Sequence, residues 1–334
     1  MNENSRQALV GAIGGTYISL ALTDIDELSV SNFALLSSGD FSNPMQAIER
    51  YLKSVPRCPD KVALAVAGTV HDTKAHMHHR PWTFTRNDIR AVTGAEHVMM
   101  VNDTEALALA LPRLTEYDLV EVVEGERVLH GTKAVIGSGT GLGIAGLVWT
   151  GERWLPVAGE GRFVSLPALR SGDFDVRAAI DGDGIVSLEQ LLSGRGLVAV
   201  NQALRQHRGL PEAKMTAPQI TTAGLSGEDP VAREALDLMG EWFGRVAGDV
   251  ALLFGARGGI YLAGGLAANI IPVLHTPRFR EAYAGAGGGR GAYLDRIGVH
   301  VIKMGADAGI KGATVALGQI LPTRPIAGRH TVSR

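Results

Sequence analysis

An internal repeat constrains the fold of this chain more than any other feature. Residues 8–23 and residues 133–149 each read as an apolar strand, a glycine-rich turn and a second apolar strand. In the first unit Ile18, Leu20 and Leu22 have the alternating period of a strand. The repeated unit predicts two related halves. A length of 334 residues agrees, because it corresponds to about two domains of roughly 150 residues.

Apolar strands followed by helices predict a partly parallel α/β fold for the first domain. The segments 61–68 and 97–101 are expected strands, and Asn102 and Glu105 have the spacing of a capping box that opens a helix directly after the second. Further expected elements are helices at 44–54, 229–255 and 305–321, a short helix opened by a capping box of Ser187 and Gln190, a strand–glycine–helix unit at 258–270 and a flexible loop at 283–290.

Composition excludes several classes of function. With 32 Lys+Arg against 34 Asp+Glu, the chain has no general electrostatic reason to bind nucleic acid or an anionic membrane. It contains no apolar run of 18 residues, so we expect no membrane span. A single cysteine, Cys58, excludes a disulfide framework and a cysteine-rich zinc site. The free thiol and the lack of a recognisable secretory signal predict a cytoplasmic protein.

The glycine-rich turns have two interpretations. Glycine makes up 43 of 334 residues, above the usual ~7%, and it clusters beside apolar segments. Residues 141–146 match G-x-G-x-x-G, but a dinucleotide site needs a helix directly after the turn, and the adjoining residues predict a strand. Either the turns are ordinary hairpins, or their backbone N–H groups and the hydroxyls of Thr16, Ser138 and Thr140 cradle phosphate.

Several carboxylates are candidates for chemistry on an alcohol. Asp103 lies directly after a buried strand, where α/β ligand sites gather, and it can act as a general base; the alternative is a plain helix N-cap at Asn102. Glu160 and Glu189 can surround a polyol together with these residues, although compensation of a helix dipole also accounts for Glu189. The histidines within 71–79 predict a surface hairpin rather than a metal site.

In their order and spacing these segments resemble the bacterial ATP-dependent glucokinase family, of the actin-like sugar kinase and heat-shock chaperone superfamily. The resemblance runs from about Leu9 to Leu321. The segments that carry it are LVGAIGGTYISLALTD, PWTFTRNDI, VNDTEALALALPRL, AVIGSGTGLGIAGLV, VAGEGRF, VSLEQLLSGRGL and GGIYLAGGLAANI.

The resemblance implies a two-domain α/β fold of the actin-like type, with a cleft between the domains. The small domain would comprise residues 1–113 plus 316–334, and the large domain residues 114–315. The implied activity is glucokinase-type: ATP and Mg²⁺ serve to phosphorylate the 6-hydroxyl of a hexose, with glucose as the expected sugar. The resemblance also implies a homodimer, with partners limited to the sugar and ATP, and it supplies no metal-ligating residue of the protein.

The same resemblance implies roles for individual residues. Asp103 would be the general base, and Asn102, Asp103, Glu160, Glu189 and Phe163 would contact the sugar. The phosphate path would be lined by Gly11, Gly14, Gly15, Thr16, Gly137, Gly139, Thr140 and Gly141. The nucleotide would face Gly264 and Gly265.

Three positions depart from the family pattern. Ala12 stands where the family has an aspartate that helps to hold Mg²⁺, Tyr17 replaces an asparagine, and Phe163 replaces a histidine that contacts sugar. These departures predict reduced activity and an altered choice of sugar. The alternative is a non-catalytic sugar- or nucleotide-binding protein that kept the kinase fold. The intact Asn102–Asp103 pair and Glu160 favour the kinase.

Overall fold

The computed structural model describes residues 6–165, 180, 185–285, 288–303 and 306–320. Its strands in chain order are β1 (Gln7–Ile13), β2 (Tyr17–Asp24), β3 (Val30–Ser37), β4 (Lys61–Val66), β5 (Gly68–His71), β6 (Lys74–Met77), β7 (Thr83–Thr85), β8 (His97–Asn102), β9 (Leu119–Val123), β10 (Lys133–Ser138), β11 (Leu142–Trp149), β12 (Trp154–Gly159), β13 (Ile260–Ala263) and β14 (Val299–Ile302).

The helices confirm most of the predicted ones. They are α1 (Pro44–Leu52), α2 (Arg86–Thr93), α3 (Asp103–Ala110), α4 (Leu188–Leu191), α5 (Gly194–His207), α6 (Ala217–Ser226), α7 (Pro230–Phe254), α8 (Gly265–Asn269), α9 (Ile271–Leu274), α10 (Pro277–Ala284), α11 (Gly288–Leu294) and α12 (Ala306–Ile320). Among the described residues, no helix is both long enough and apolar enough to cross a membrane.

Two sheets with the same topology confirm the predicted repeat. The first sheet, which forms the first half of the molecule with its helices, has the strand order β3-β2-β1-β4-β8. The second sheet, in the second half, has the order β12-β11-β10-β13-β14 with β9 added at its far edge. In each sheet a glycine-turn hairpin pairs antiparallel, and the first strand of that hairpin pairs parallel with a later strand. Because of this arrangement, both glycine turns and the carboxyl ends of the parallel strands lie at corresponding edges of the two sheets.

Helix α12 joins the end of the described chain to its beginning. It packs on α3, β1 and β4, all of which belong to the first half. Its apolar residues Ile310 and Leu317 are buried in the same cluster as Val10 and Ala63. In the second half the long helix α7 packs on α5, α6 and α10 and buries its aromatic side chains in the core of that half. Apolar burial of this extent is the main stabilising term of both halves.

The predicted flexible loop at 283–290 is wrong for the residues of it that are described. Tyr283 lies in the last turn of α10, and residues 288–290 begin α11. The Tyr283 ring is buried, and its hydroxyl donates a hydrogen bond of 2.9 Å to the Ile297 carbonyl. The glycine content suggested a loop, but apolar anchors on both sides, including Leu294, hold the two helices in the core. Residues 286–287 lie outside the described part.

Candidate active site

A cavity of about 470 Å³ lies between the two halves and receives both glycine turns. The carboxyl end of β8 and the start of α3 reach it from the first half. The end of β12, helix α4 and Gly264 at the end of β13 reach it from the second half. The cavity therefore brings together parts of the chain that are far apart in sequence, as ligand sites at the ends of parallel strands commonly do.

The first glycine turn is held by side chains of its own half. Ser38 is fully buried, and its hydroxyl donates a 2.8 Å hydrogen bond to the Gly14 carbonyl. Arg80 Nε donates a 2.9 Å hydrogen bond to the Gly15 carbonyl, and its guanidinium lies 5.4 Å from the centre of the Trp82 ring. These bonds occupy the carbonyl oxygens of the turn, so its N–H groups are the part that is available to an anion.

The second glycine turn is held by close approach of backbone. Gly264 has φ +92°, and a β-carbon at this position would collide with the Ser138 carbonyl oxygen. The Gly194 N–H donates a 3.0 Å hydrogen bond to the Gly139 carbonyl, which anchors the turn to the start of α5. Glycine is required at position 264 because only glycine tolerates both the positive φ and the contact.

The two turns keep some backbone donors for a ligand and use others internally. The Gly14 N–H donates to the Tyr17 carbonyl, and the Gly139 N–H donates to the Gly141 carbonyl, both at 2.9 Å. Within the described ranges, four other backbone N–H groups of the turns have no protein acceptor. They belong to Gly15, Thr16, Thr140 and Gly141.

Asn102 and Asp103 share the N-terminus of α3 but have different partners. The Asn102 side chain accepts hydrogen bonds from the N–H groups of Thr104 and Glu105, and Glu105 completes the predicted capping box. The Asn102 Nδ2 group also donates a 2.9 Å hydrogen bond to the Gly68 carbonyl. The predicted N-cap at Asn102 is therefore confirmed. Asp103, the first residue of the helix, lies at the cavity wall.

Burial raises the pKa of Asp103 to about 6, although hydrogen bonds from Thr104 and the charge of Arg162 act in the opposite direction. The Thr104 N–H donates to Asp103 Oδ1 at 2.9 Å. A carboxylate with a pKa near 6 is a stronger base than an ordinary aspartate and is still mostly ionised at neutral pH. This combination suits a group that accepts a proton from an alcohol.

Glu160 and Arg162 form an ion pair on the opposite wall. Arg162 Nε lies 2.9 Å from Glu160 Oε2, and an Nη atom of Arg162 lies 3.3 Å from Nδ1 of His78. The pKa of His78 is lowered, first by burial and then by the charge of Arg162. Because Arg162 can only donate, His78 Nδ1 accepts this bond and its proton is assigned to Nε2. His78 belongs to the first half, so this contact crosses the cavity.

Glu189 and His79 approach the second glycine turn from both sides. Glu189 Oε2 accepts a 3.1 Å hydrogen bond from the Leu142 N–H. A β-carbon at Gly141 would lie 2.6 Å from Glu189 Oε2 and 2.8 Å from His79 Nε2. At position 15, in the first turn, a β-carbon would lie 3.1 Å from the β-carbon of His79. His79 therefore lies between the two glycine turns.

The structure brings together most of the residues predicted for the site. The predicted residues that line the cavity are Asn102, Asp103, Glu160, Glu189, Gly14, Gly15, Thr16, Gly137, Gly139, Thr140, Gly141 and Gly264.

Three predicted residues are not part of the lining. Gly11 lies on the other face of β1, where a β-carbon would contact Leu20 and Leu64 in the core. Gly265 is the exposed first residue of α8, where a β-carbon would meet nothing within 4 Å. Phe163 is 66% exposed, and its ring lies against Arg162 rather than in the cavity. The expected roles of these three residues in binding find no support in their positions.

The histidines and the arginine of the cavity do not stand out in the sequence. The pattern places His78 and His79 on a surface hairpin, and β5 and β6 do form a hairpin, but the two histidines come after it and line the cavity. The nearest available signal is the family segment that begins at Pro81, because the two histidines come shortly before it in the sequence. No sequence signal indicates Arg162, because the family pattern places the sugar contact at the neighbouring position 163.

The described residues offer few protein ligands to a metal ion. Within the described ranges, no group of three or more His, Cys, Asp or Glu residues is arranged to hold a metal ion. Ala12 supplies no carboxylate, and its β-carbon packs towards Gly309 of α12. Mg²⁺ characteristically keeps several waters and is held by phosphates plus one or two carboxylates. The described residues therefore provide no ready-made set of three protein ligands for a resident metal ion.

Comparisons with known proteins agree on one family. The family model described as Glucokinase matches residues 9–320. A curated relative, the glucokinase of Sinorhizobium fredii, is 35% identical over 277 residues, which cover 82% of this chain and 82% of the relative.

Solved structures extend the agreement to the fold. The crystal structure of a glucokinase from an Antarctic psychrotroph matches with a TM-score of 0.81 at 28% identity, covering 95% of this chain and 100% of that one. A ROK family glucokinase from Streptomyces griseus, in complex with glucose and AMPPNP, matches with a TM-score of 0.68 at 21% identity over 94% of this chain and 99% of that one. The predicted fold class, a two-domain actin-like α/β fold, is confirmed.

Proposed function

The chain belongs to the glucokinase family, and we propose that its cavity transfers a phosphoryl group from ATP to the 6-hydroxyl of glucose. ATP-dependent phosphorylation of a hexose is the activity that the family membership establishes. The observation that carries the finer proposal is the position of Asp103, which faces one cavity together with both glycine turns and three further carboxylates, Glu105, Glu160 and Glu189. The departures at Ala12, Tyr17 and Phe163 predict that turnover is slower than in relatives with the family pattern.

Asp103 acts as the general base. Its Oδ1 atom accepts from Thr104, which leaves Oδ2 to accept a hydrogen bond from the sugar hydroxyl. As the hydroxyl oxygen forms its bond to the γ-phosphorus, the proton moves to Asp103 and the bond to the ADP oxygen breaks. A positioned base of this kind typically contributes 10²–10⁴-fold to the rate. Asn102, Glu160 and Glu189 hold the other hydroxyls and orient the acceptor.

The two glycine turns bind the phosphates from both sides. Gly15 and Thr16 supply donors from the first half, and Thr140 and Gly141 supply donors from the second half. Phosphoryl transfer depends mainly on positioning and charge stabilisation, and backbone donors provide both without reorganisation. Gly264 borders the path of the nucleotide. Mg²⁺ bound to the ATP phosphates would neutralise part of their charge.

The remaining expectations belong to the same proposal. The small domain comprises residues 1–113 and the terminal helix, which is supported by the packing of α12 on β1 and β4. The protein works in the cytoplasm as a homodimer and supplies hexose phosphate to glycolysis. Its ligands are the sugar and MgATP, with no nucleic acid partner.

The test is ADP release measured across a panel of hexoses, with ³¹P NMR to locate the phosphate on the product. We expect turnover with glucose and a 6-phosphate product. The kcat/KM value should fall about tenfold per pH unit below pH 6, because a base with a pKa of about 6 must be ionised to act. If glucose and ATP bind in calorimetry but no sugar yields ADP, the chain is the non-catalytic binder and the proposal is wrong.

A further inference from the structure

The 3₁₀ turn Gly161–Phe163 carries the guanidinium group of Arg162 at the cavity wall. Arg162 is the one lysine or arginine among the described residues that line the cavity, and its side chain is only 14% exposed. A buried guanidinium at a sugar site requires partners, because an unpaired buried charge is costly. Arg162 has Glu160 on its own side and His78 on the other side of the cavity.

We propose that Arg162 is the sugar-hydroxyl donor of this turn and that Phe163 positions its guanidinium. This inference rests on the proposed function. It assigns to Arg162 the hydrogen bond that the resemblance placed at position 163, and it assigns to Phe163 a role outside the sugar contact.

The donor count of Arg162 supports direct contact with a ligand. A guanidinium has five N–H donors in a fixed plane. Nε faces Glu160, and one Nη group faces His78. The other Nη group has no protein partner among the residues that the structure describes. Three N–H donors are therefore available beside the Glu160 carboxylate: two on this group and one on the group that faces His78.

The chemistry of this pair selects a vicinal diol. A carboxylate accepts a hydrogen bond from one hydroxyl, and the adjacent guanidinium donates to the oxygen of the next hydroxyl. Glu160 and Arg162 are held together at 2.9 Å, so both contacts fall on neighbouring carbons of one sugar. Loss of either sugar hydroxyl removes the hydrogen bond between the sugar and one of these charged groups. The pair is therefore a determinant of sugar specificity.

Phe163 contacts the arginine and not the cavity. Its ring centre lies 4.4 Å from the Arg162 guanidinium carbon, and the ring is 66% exposed. A cation held over an aromatic ring is attracted to it even at an exposed site. The contact fixes the plane of the guanidinium, and a fixed plane is what directed hydrogen bonding needs. This contact with Arg162 explains why an aromatic residue, Phe163, is exposed beside a polar site.

The test uses two variants at each position and one matched control. Arg162→Gln removes the charge, and Arg162→Lys keeps it without the planar fork. Phe163→Leu removes the ring, and Phe163→Tyr keeps it. Arg50→Gln is the control, because Arg50 lies 5.9 Å over the Phe41 ring, the same kind of contact, but does not line the cavity. For each protein kcat, KM and the melting temperature are measured with glucose and its monodeoxy analogues.

We expect Arg162→Gln to raise the glucose KM by about tenfold to a hundredfold, because a hydrogen bond to a charged group is lost. It should also abolish the discrimination that the wild type shows against one particular deoxy sugar. Arg162→Lys should restore only part of the affinity. Phe163→Leu should raise KM about twofold to fivefold with kcat little changed, while Phe163→Tyr and Arg50→Gln stay near wild type.

Failure of the inference differs from failure of the proposed function. If the wild type phosphorylates glucose and Arg162→Gln keeps both its KM within about twofold and its deoxy-sugar profile, well inside the expected change, Arg162 is not the donor. If Phe163→Tyr raises KM as much as Phe163→Leu, the ring is not what positions the arginine. If the wild type turns over no sugar, the proposed function is wrong, and calorimetric glucose affinity of the same variants decides the inference.

Discussion

The two glycine turns of the cavity share one topology and differ in what holds them. The first turn is held by side chains: Ser38 and Arg80 bind its carbonyl oxygens. The second turn is held by backbone: Gly264 approaches Ser138 so closely that no side chain fits, and Gly194 binds the Gly139 carbonyl. A repeated sequence pattern can therefore keep its shape while its support is rebuilt from other parts of the chain.

The two halves also differ in the helix that follows the last parallel strand of each sheet. In the first half β8 leads directly into the capped helix α3, which carries Asp103. In the second half β14 leads to α12, which packs on the first half and completes its core. Under the proposed function, the first half supplies the base, and the second half supplies Glu160, Glu189 and Arg162 for the acceptor. Variants in each half can test this division of roles.

The largest effect is expected at the base of the first half. Asp103→Asn should lower kcat by about 10²–10⁴-fold, because an amide can hold the hydroxyl but cannot take its proton. Glucose affinity in calorimetry should change little. Asp88→Asn is the matched control, because Asp88 is a first-turn carboxylate of α2 that accepts a backbone N–H outside the cavity. Turnover of Asp103→Asn within about threefold of wild type, far inside that range, would place the base elsewhere.

The same variant has a consequence for stability. The folded state raises the pKa of Asp103 to about 6, so it binds the proton more tightly than the unfolded chain does. Stability from this group is thus present at low pH and is lost as the pH rises through about 6. At neutral pH the ionised carboxylate destabilises the fold, and Asp103→Asn should raise the free energy of unfolding by about 1–3 kcal/mol. Urea titrations at about pH 5 and about pH 7.5 should show the gain mainly at the higher pH.

The second turn should be more sensitive to an added methyl group than to lost polar contacts. Gly264→Ala should lower the free energy of unfolding by about 2–4 kcal/mol, since it adds backbone strain and a collision with the Ser138 carbonyl. Gly139→Ala is the matched control, because a β-carbon there meets nothing within 4 Å. It should leave the melting temperature near wild type and raise the KM for ATP. Equal melting temperatures for the two variants would contradict the backbone explanation.

The first turn lacks the carboxylate that the family places at position 12. Ala12→Asp should raise kcat by about tenfold at saturating MgATP, which corresponds to ~1.4 kcal/mol of barrier, by fixing the metal for transfer. The facing helix carries a glycine here, and a β-carbon at Gly309 would lie 3.3 Å from that of Ala12. Ala12→Asn has the same size without the charge and should bring no gain. A kcat that is unchanged or lower in Ala12→Asp would mean that this chain holds MgATP in another way.

The smallest effect is expected for the side-chain support of the first turn. Ser38→Ala removes the hydrogen bond to the Gly14 carbonyl and should cost about 1 kcal/mol of stability. The KM for ATP should rise a few-fold, since the turn loses one of its two side-chain anchors. Ser54→Ala removes a comparable hydroxyl-to-carbonyl bond, from Ser54 to Tyr51, outside the cavity and should leave the KM for ATP unchanged. An equal KM in both variants would show that the turn keeps its shape without the Ser38 hydroxyl.

Much of the fold could be predicted from local patterns, and less of the site. The hairpins, the capped start of α3 and the long helix α7 arise from periodicity and capping residues that neighbours in sequence determine. His79 and Arg162 could not be located in this way, because their neighbours in the cavity come from the opposite half. The face of β1 on which Gly11 lies was not predicted for a related reason, since a β-carbon there would meet Leu20 and Leu64.

The packing of α12 on the first half has a consequence for synthesis at the ribosome. The face of the first sheet formed by Val10 and Ala63 shares its cluster with Ile310 and Leu317, which are translated long after α3. With about 200 residues still to be added at 5–20 residues per second, the nascent first half waits roughly 10–40 s with that apolar face uncovered. Chaperone binding during translation should therefore concentrate on this early segment. Truncated chains that end before residue 306 should be captured rather than released as folded halves.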